Sequence, residues 1–120
     1  MDLKHKHLTW AATVLVAIAL LVGGGANLAG VPLMHQSFAE LSLPVWFGYL
    51  VGALEVAGAI ALFFPPLSAL AAAGLVLIMV GAIYYHLVAR HPAEGLPALV
   101  ILLLCVYIFW RRRSSALVFR

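Results

Sequence analysis

From residue 8 to residue 29 the chain carries no charge, and three more apolar runs follow, each separated from the next by Pro or Gly breaks. About 20 apolar residues in helical form cross the ~30 Å hydrocarbon core of a bilayer. Of the 120 residues, 66% are apolar and 9% charged, whereas a soluble domain is nearer half apolar and a quarter charged. The expectation is an all-α fold: an integral membrane four-helix bundle, one domain over residues 1–120, with spans at about 8–29, 45–64, 67–89 and 93–112. The first run is longer than the ~7–15 residues of a signal-peptide core, so it is read as a mature helix.

The breaks carry the topology. Pro44 opens the second run and Pro65-Pro66 close it, leaving almost no connection to the third. Pro92 can begin the fourth helix, with Ala93 and Glu94 in its first turn. There the N–H groups still lack partners and a carboxylate suits the positive end of the helix dipole. Lys4 and Lys6 lie at one end of the chain and Arg111, Arg112, Arg113 and Arg120 at the other. The positive-inside rule then places both termini in the cytoplasm. Trp10 and Trp110 would sit at the cytoplasmic boundary as interfacial anchors, with Trp46, Tyr84 and Tyr85 near the outer one. Between the first and second spans, Pro32 can open a short outer interfacial helix over residues 32–42. Leu33, Met34, Phe38 and Leu41 would share one face and His35, Gln36 and Glu40 would lie elsewhere. An irregular loop is the alternative there.

One residue stands out chemically. Glu55 sits alone in the second run. A carboxylate costs roughly 2.5–3.5 kcal/mol at a bilayer centre. The ten Val, Leu, Ile and Phe residues of the same run each return about 0.3–0.6 kcal/mol, so the segment still inserts. An intramembrane ionisable residue is a functional-site hypothesis by default. Gly48, Gly52 and Ala59 share its helix face at the close-packing spacing of membrane helices. A matching stripe on the third run, Ala71, Gly74, Ile78, Gly81 and Tyr85, predicts that the second and third spans pack through these faces. Depth counting puts Glu55 about 15 Å below the outer surface. Asn27, His35, Tyr84, Tyr85 and His86 would cluster above it, lining a pocket open to the outer side. The plainer reading of Glu55 is a protonated carboxyl bonded to backbone or to a neighbouring helix.

Several chemistries find no support. The lone Cys105 excludes an intrachain disulfide and thiol exchange through a paired thiol, and reads as a packing residue. Among the four runs only the third carries a His, which argues against a buried haem with two axial histidines. No metal-ligand spacing is expected. Neither a phosphate-binding Gly loop nor a case for nucleic acid is present. The Arg111–Arg113 run reads as a topology anchor with incidental contact to anionic lipid.

Five short motifs, in order, resemble the DoxX-like family of small four-helix membrane proteins over nearly the whole chain. They are Gly25-Ala26-Asn27-Leu28-Ala29-Gly30, Leu43-Pro44-x-Trp46, Gly52-x-x-Glu55-x-x-Gly58, Leu62 with Pro65, and Met79-x-Gly81-Ala82-x-x-x-His86. The family often has Lys where Asn27 stands, so an ion pair with Glu55 does not carry over. The resemblance implies a polytopic inner-membrane protein. Some relatives are tied to quinone-linked sulfur oxidation or oxidative-stress complexes and others to assembly. Fold transfers from such a likeness better than function does.

The sequence therefore leads to an accessory subunit of a membrane redox or stress-response complex, binding a small apolar ligand such as a quinone. Glu55, His86, Tyr85, Asn27, Tyr84 and His35 are its candidate ligand-binding residues. A redox partner would supply the electron-transfer centre, no cofactor motif of the chain's own being evident, and catalysis by the chain alone is not expected. The alternatives are a non-catalytic assembly or partner-binding protein, and small-solute transport as an oligomer. A homodimer through the small-residue faces is also expected.

Overall fold

The computed structural model describes residues 3–89 and 95–113. These residues form five helices in the order α1 (Leu3–Leu28), α2 (Pro32–Glu40), α3 (Val45–Ala61), α4 (Pro65–Ala89) and α5 (Leu96–Arg112), with no strand among them. The expected start of the last helix at residue 93 lies outside the described residues.

The helix ends follow from local chemistry. Gly30 adopts φ +75° just past α1, and the amide of Val31 reaches back to the carbonyl of Ala26 (3.1 Å) while that of Gly30 reaches Asn27 (3.2 Å). This is the left-handed closure that glycine supplies without a Cβ penalty. Pro32 then opens α2 from its first position. The end of α2 closes in the same way but with Ser42 in the left-handed position, at φ 60°. There Leu43 N–H bonds the Phe38 carbonyl at 3.0 Å. Pro65-Pro66 belong to the first turn of α4, where missing N–H groups cost nothing, so α3 stops at Ala61 and residues 62–64 form the turn.

Two helices are long and apolar enough to cross a membrane, over Lys6–Leu28 and Pro65–Val88, and Val45–Ala61 is a shorter apolar helix. Only 39% of the first of these windows and 28% of the second is buried inside the protein. A core helix of a soluble domain would be mostly covered. Here Val22, Leu77 and Val88 instead stand more than half exposed, forming apolar surface that water would not stabilise.

The four long helices run antiparallel to their neighbours. The most extensive contacts are between α1 and α3 and between α4 and α5. Val16, Leu20, Ala59, Leu62, Ala72, Leu75, Met79, Cys105 and Ile108 fill the space between the two pairs. This corrects the expected pairing. The small-residue face of α3 does not meet the stripe on α4: a Cβ at Gly52 would lie 2.7 Å from Asn27 Cβ and 2.9 Å from the Gly24 carbonyl oxygen, both on α1. Gly74 and Gly81 have nothing within 4 Å. The reason is on α1, where Gly24 admits the backbone of α3, a Cβ there falling 3.0 Å from the Gly52 carbonyl oxygen, with Gly23 beside it facing the Glu55 carboxyl. On the α4 side, Gly58 meets the bulkier Leu75, with a Cβ there 3.0 Å from its Cδ2.

Candidate functional site

The helix ends that carry Asn27, Gly48, Tyr85 and Gly95 lie together at one end of the bundle, and α2 lies across them. Its His35 points back to α1, where Nε2 lies 2.7 Å from the Asn27 carbonyl oxygen. A carbonyl only accepts, so Nε2 is the donor of that bond. The His35 ring also packs on Tyr49 of α3, with centroids 4.4 Å apart. Gly48 leaves the space for it, since a Cβ there would fall 2.5 Å from His35 Nδ1. At its other end α2 is tied to α4: the Tyr85 hydroxyl donates to Glu40 Oε2. The Tyr85 ring lies edge-on to His86 at 5.3 Å, and His86 abuts Gly95 before α5, where a Cβ would lie 3.4 Å from His86 Cβ.

Beneath α2 the crossing of α1 and α3 is reciprocal. Gly24 of α1 receives Glu55 of α3: a Cβ on Gly24 would stand 2.9 Å from Glu55 Cβ and 3.0 Å from the Gly52 carbonyl oxygen. Gly52 of α3 receives Asn27 of α1 in the same way. Each glycine is followed three residues later by a polar side chain on the same helix face. Backbone Cα–H groups and carbonyls approach each other directly, the close helix contact that small residues permit. The Glu55 carboxyl lies against α1, with Oε2 3.6 Å from the Cβ position of Gly23.

The polar groups held there are incompletely satisfied. Asn27 is 3% exposed and Glu55 8%. Asn27 Oδ1 is buried with no hydrogen-bond partner, and no described residue hydrogen-bonds the Glu55 carboxyl. An orphaned buried acceptor costs about 1–3 kcal/mol and calls for an explanation. A shallow cleft of about 240 Å³ lies between α2 and the start of α3, lined by His35, Gln36, Phe38, Ala39, Leu43, Pro44 and Val45, and neither Asn27 nor Glu55 reaches it.

Of the six residues expected to form one cluster, Asn27, His35 and Glu55 gather where α1, α2 and α3 meet. Tyr85 and His86 form a neighbouring group at the end of α4, joined to the first through α2. Tyr84 is 58% exposed on the outside of the bundle. The sequence reading missed Gly24, Tyr49 and Glu40. Gly24 lies in a visible triple-glycine stretch, whereas no sequence signal distinguishes Glu40 from an ordinary solvated residue. Among the described residues no group of three or more His, Cys, Asp or Glu is placed to hold a metal.

The Tyr85–Glu40 bond gives a direct test of how α2 is held. A hydrogen bond to a charged group is worth about 1.5–3 kcal/mol. Tyr85→Phe is expected to raise amide exchange in α2 by roughly tenfold or more while leaving α1 unchanged, read by hydrogen-exchange mass spectrometry. Unchanged exchange in α2 would mean that His35 and Tyr49 alone hold it.

The protein-family comparison matches the DoxX-like family over residues 11–108. A Bacillus subtilis (strain 168) protein, "Uncharacterized protein YdgD", is 33% identical over 78 residues, which cover 62% of this chain and 68% of that protein. No solved structure matches. The matched region contains the α1–α3 crossing, the α2 cap and most of α5, so the site falls inside the shared segment. The chain belongs to the DoxX-like family.

Proposed function

We propose that this protein spans the inner membrane four times with both termini cytoplasmic, and that it binds a small apolar carbonyl ligand, a quinone, alongside the α1–α3 crossing on the side of Asn27 and Glu55. It would act as an accessory subunit of a membrane redox or stress-response complex whose partner supplies the redox centre. The length of 45 Å along the long axis suits a bilayer of about 40–45 Å including its head-group regions. The exposed apolar faces of α1 and α4 suit lipid. In this reading α2, with His35 and Glu40, is the outer interfacial cap.

The observation that carries the ligand reading is the buried Asn27 Oδ1 with no hydrogen-bond partner, at the same helix crossing that holds Glu55 against Gly23 and Gly24. Together they offer an acceptor and a group that can either donate or accept. A protonated Glu55 would donate to a quinone carbonyl, and Asn27 Oδ1 would accept from the hydroxyl of the reduced form. Tyr85 and His86 then support the site through Glu40 and α2.

Thermal unfolding in detergent with a short-chain quinone tests this. A ligand at 100 times its Kd stabilises by about 2.7 kcal/mol, so the wild type should show a concentration-dependent rise in Tm and Glu55→Met none. Equal shifts in both proteins, or none in the wild type, would sink the reading.

A second reading, partner binding, draws on the open face of α4. Gly74 and Gly81 meet nothing within 4 Å, and Leu77, Val80 and Tyr84 beside them are exposed. Small residues on an uncovered face let another membrane helix, from a second copy or a partner, approach closely. Association through α4 with no response to quinone would favour it.

A further inference from the structure

The opposite end of the bundle holds a buried polar group that the proposed function does not use. Arg112, in the last turn of α5, is only 8% exposed. Its guanidinium carbon lies 4.6 Å from the centroid of the Trp10 ring on α1, and Trp10 in turn stacks on Phe63 at 6.3 Å. Stacking satisfies the face of a guanidinium. Its N–H donors lie in the plane and still need acceptors. Nε and Nη2 of Arg112 are both buried and neither has one.

No described carboxylate answers this charge. Glu40 is bonded to Tyr85 at the far end of the molecule, and Glu55 faces Gly23 and Gly24. Asp2 and Glu94 lie outside the described residues. Other polar groups share this end. Thr9 and Thr13 are fully buried on α1, and Ser68, in the first turn of α4, has a buried hydroxyl with no partner. Arg111 Nε is likewise unpartnered, its guanidinium lying 5.2 Å from the Trp110 ring centroid. Around the rim Phe63, Phe64, Leu67 and Trp110 are exposed. A buried, unpaired charge is strongly unfavourable unless a counter-charge arrives. The ring of exposed apolar side chains sets the site at the level where a lipid places its phosphate.

We propose that Arg112, held on Trp10, is the centre of a binding site for a phosphate group. The planar fork of the guanidinium matches two phosphate oxygens and bonds them side by side. The flexible stem lets the fork turn to the surface while its face stays on the indole. The occupant is the phosphodiester of an anionic phospholipid or a free phosphate, which present the same oxygens. This differs from a general attraction of basic residues to anionic lipid, because the neighbouring Arg113 is exposed and would contribute little.

The test is native mass spectrometry of the detergent-purified full chain, with phosphatidylglycerol or phosphatidylcholine added, paired with Tm measurements in inorganic phosphate. The wild type should retain phosphatidylglycerol at least about tenfold better than phosphatidylcholine, as expected for a charge-assisted pair. Arg112→Gln should lose that preference. Arg112→Lys, which keeps the charge and loses the fork, should retain part of it, and Arg113→Gln should keep it. A Tm rise with inorganic phosphate that vanishes in Arg112→Lys, without lipid retention, would assign the site to the free ion. The proposal is overturned if neither ligand has an effect, or if Arg113→Gln reduces retention as much as Arg112→Gln. An equal loss of stability in Asp2→Asn and Arg112→Gln would also overturn it, by revealing an internal ion pair.

Discussion

Gly52→Ala should destabilise the bundle by about 1–3 kcal/mol, the usual cost of forcing extra volume into a packed contact. The new methyl group would fall 2.7 Å from Asn27 Cβ and 2.9 Å from the carbonyl oxygen of Gly24. The second of these is backbone, which cannot move aside without shifting α1. Gly24→Ala meets the mirror problem, 2.9 Å from Glu55 Cβ and 3.0 Å from the Gly52 carbonyl oxygen. Because both substitutions open the same crossing, the double variant should cost clearly less than their sum. Gly74→Ala and Gly81→Ala, with nothing within 4 Å, should stay within about 0.5 kcal/mol of the wild type. Reversible unfolding in mixed detergent micelles reads all five. Equal losses at Gly52 and Gly74 would mean that the close approach of α1 and α3 contributes nothing particular to stability.

Glu55→Met should act in the opposite direction on stability. Methionine nearly matches glutamate in length and removes a buried carboxyl that no described residue hydrogen-bonds. Burying such a group without a partner costs on the order of 1–3 kcal/mol in proteins, so the ligand-free variant should be more stable by about that amount. Ligand binding should be lost at the same time. A residue that weakens the fold and is needed for function is the usual mark of a site. If Glu55→Met instead unfolds the protein, the carboxyl is a structural bond that holds the bundle together.

Helix existence was legible in the sequence because charge-free runs of this length leave few other options, and Pro and Gly marked most of their ends. Helix pairing was less legible. Spacing shows that Gly48, Gly52 and Glu55 share a face, but not which neighbour that face meets. The tight connection at Pro65-Pro66 suggested α4, whereas Gly24 of α1 takes the contact. Of the adjacent tyrosines, the spacing put Tyr85 and not Tyr84 on the stripe expected to pack. A helix rotates about 100° per residue, so Tyr85 reaches Glu40 while Tyr84 faces out. The burial of Arg112, by contrast, was hidden. In sequence it is the middle of three arginines, and only the approach of Trp10 from the other end of the chain distinguishes it.

The most direct measurement is native mass spectrometry of the full chain extracted gently from its own membranes, with quinone analysis of the released small molecules, comparing wild type with Glu55→Met. If Glu55 and Asn27 hold a carbonyl ligand, the wild type carries one quinone-sized molecule per chain and the folded variant carries none. A wild type without such a molecule, or the same bound mass in both proteins, would contradict a ligand site at Glu55.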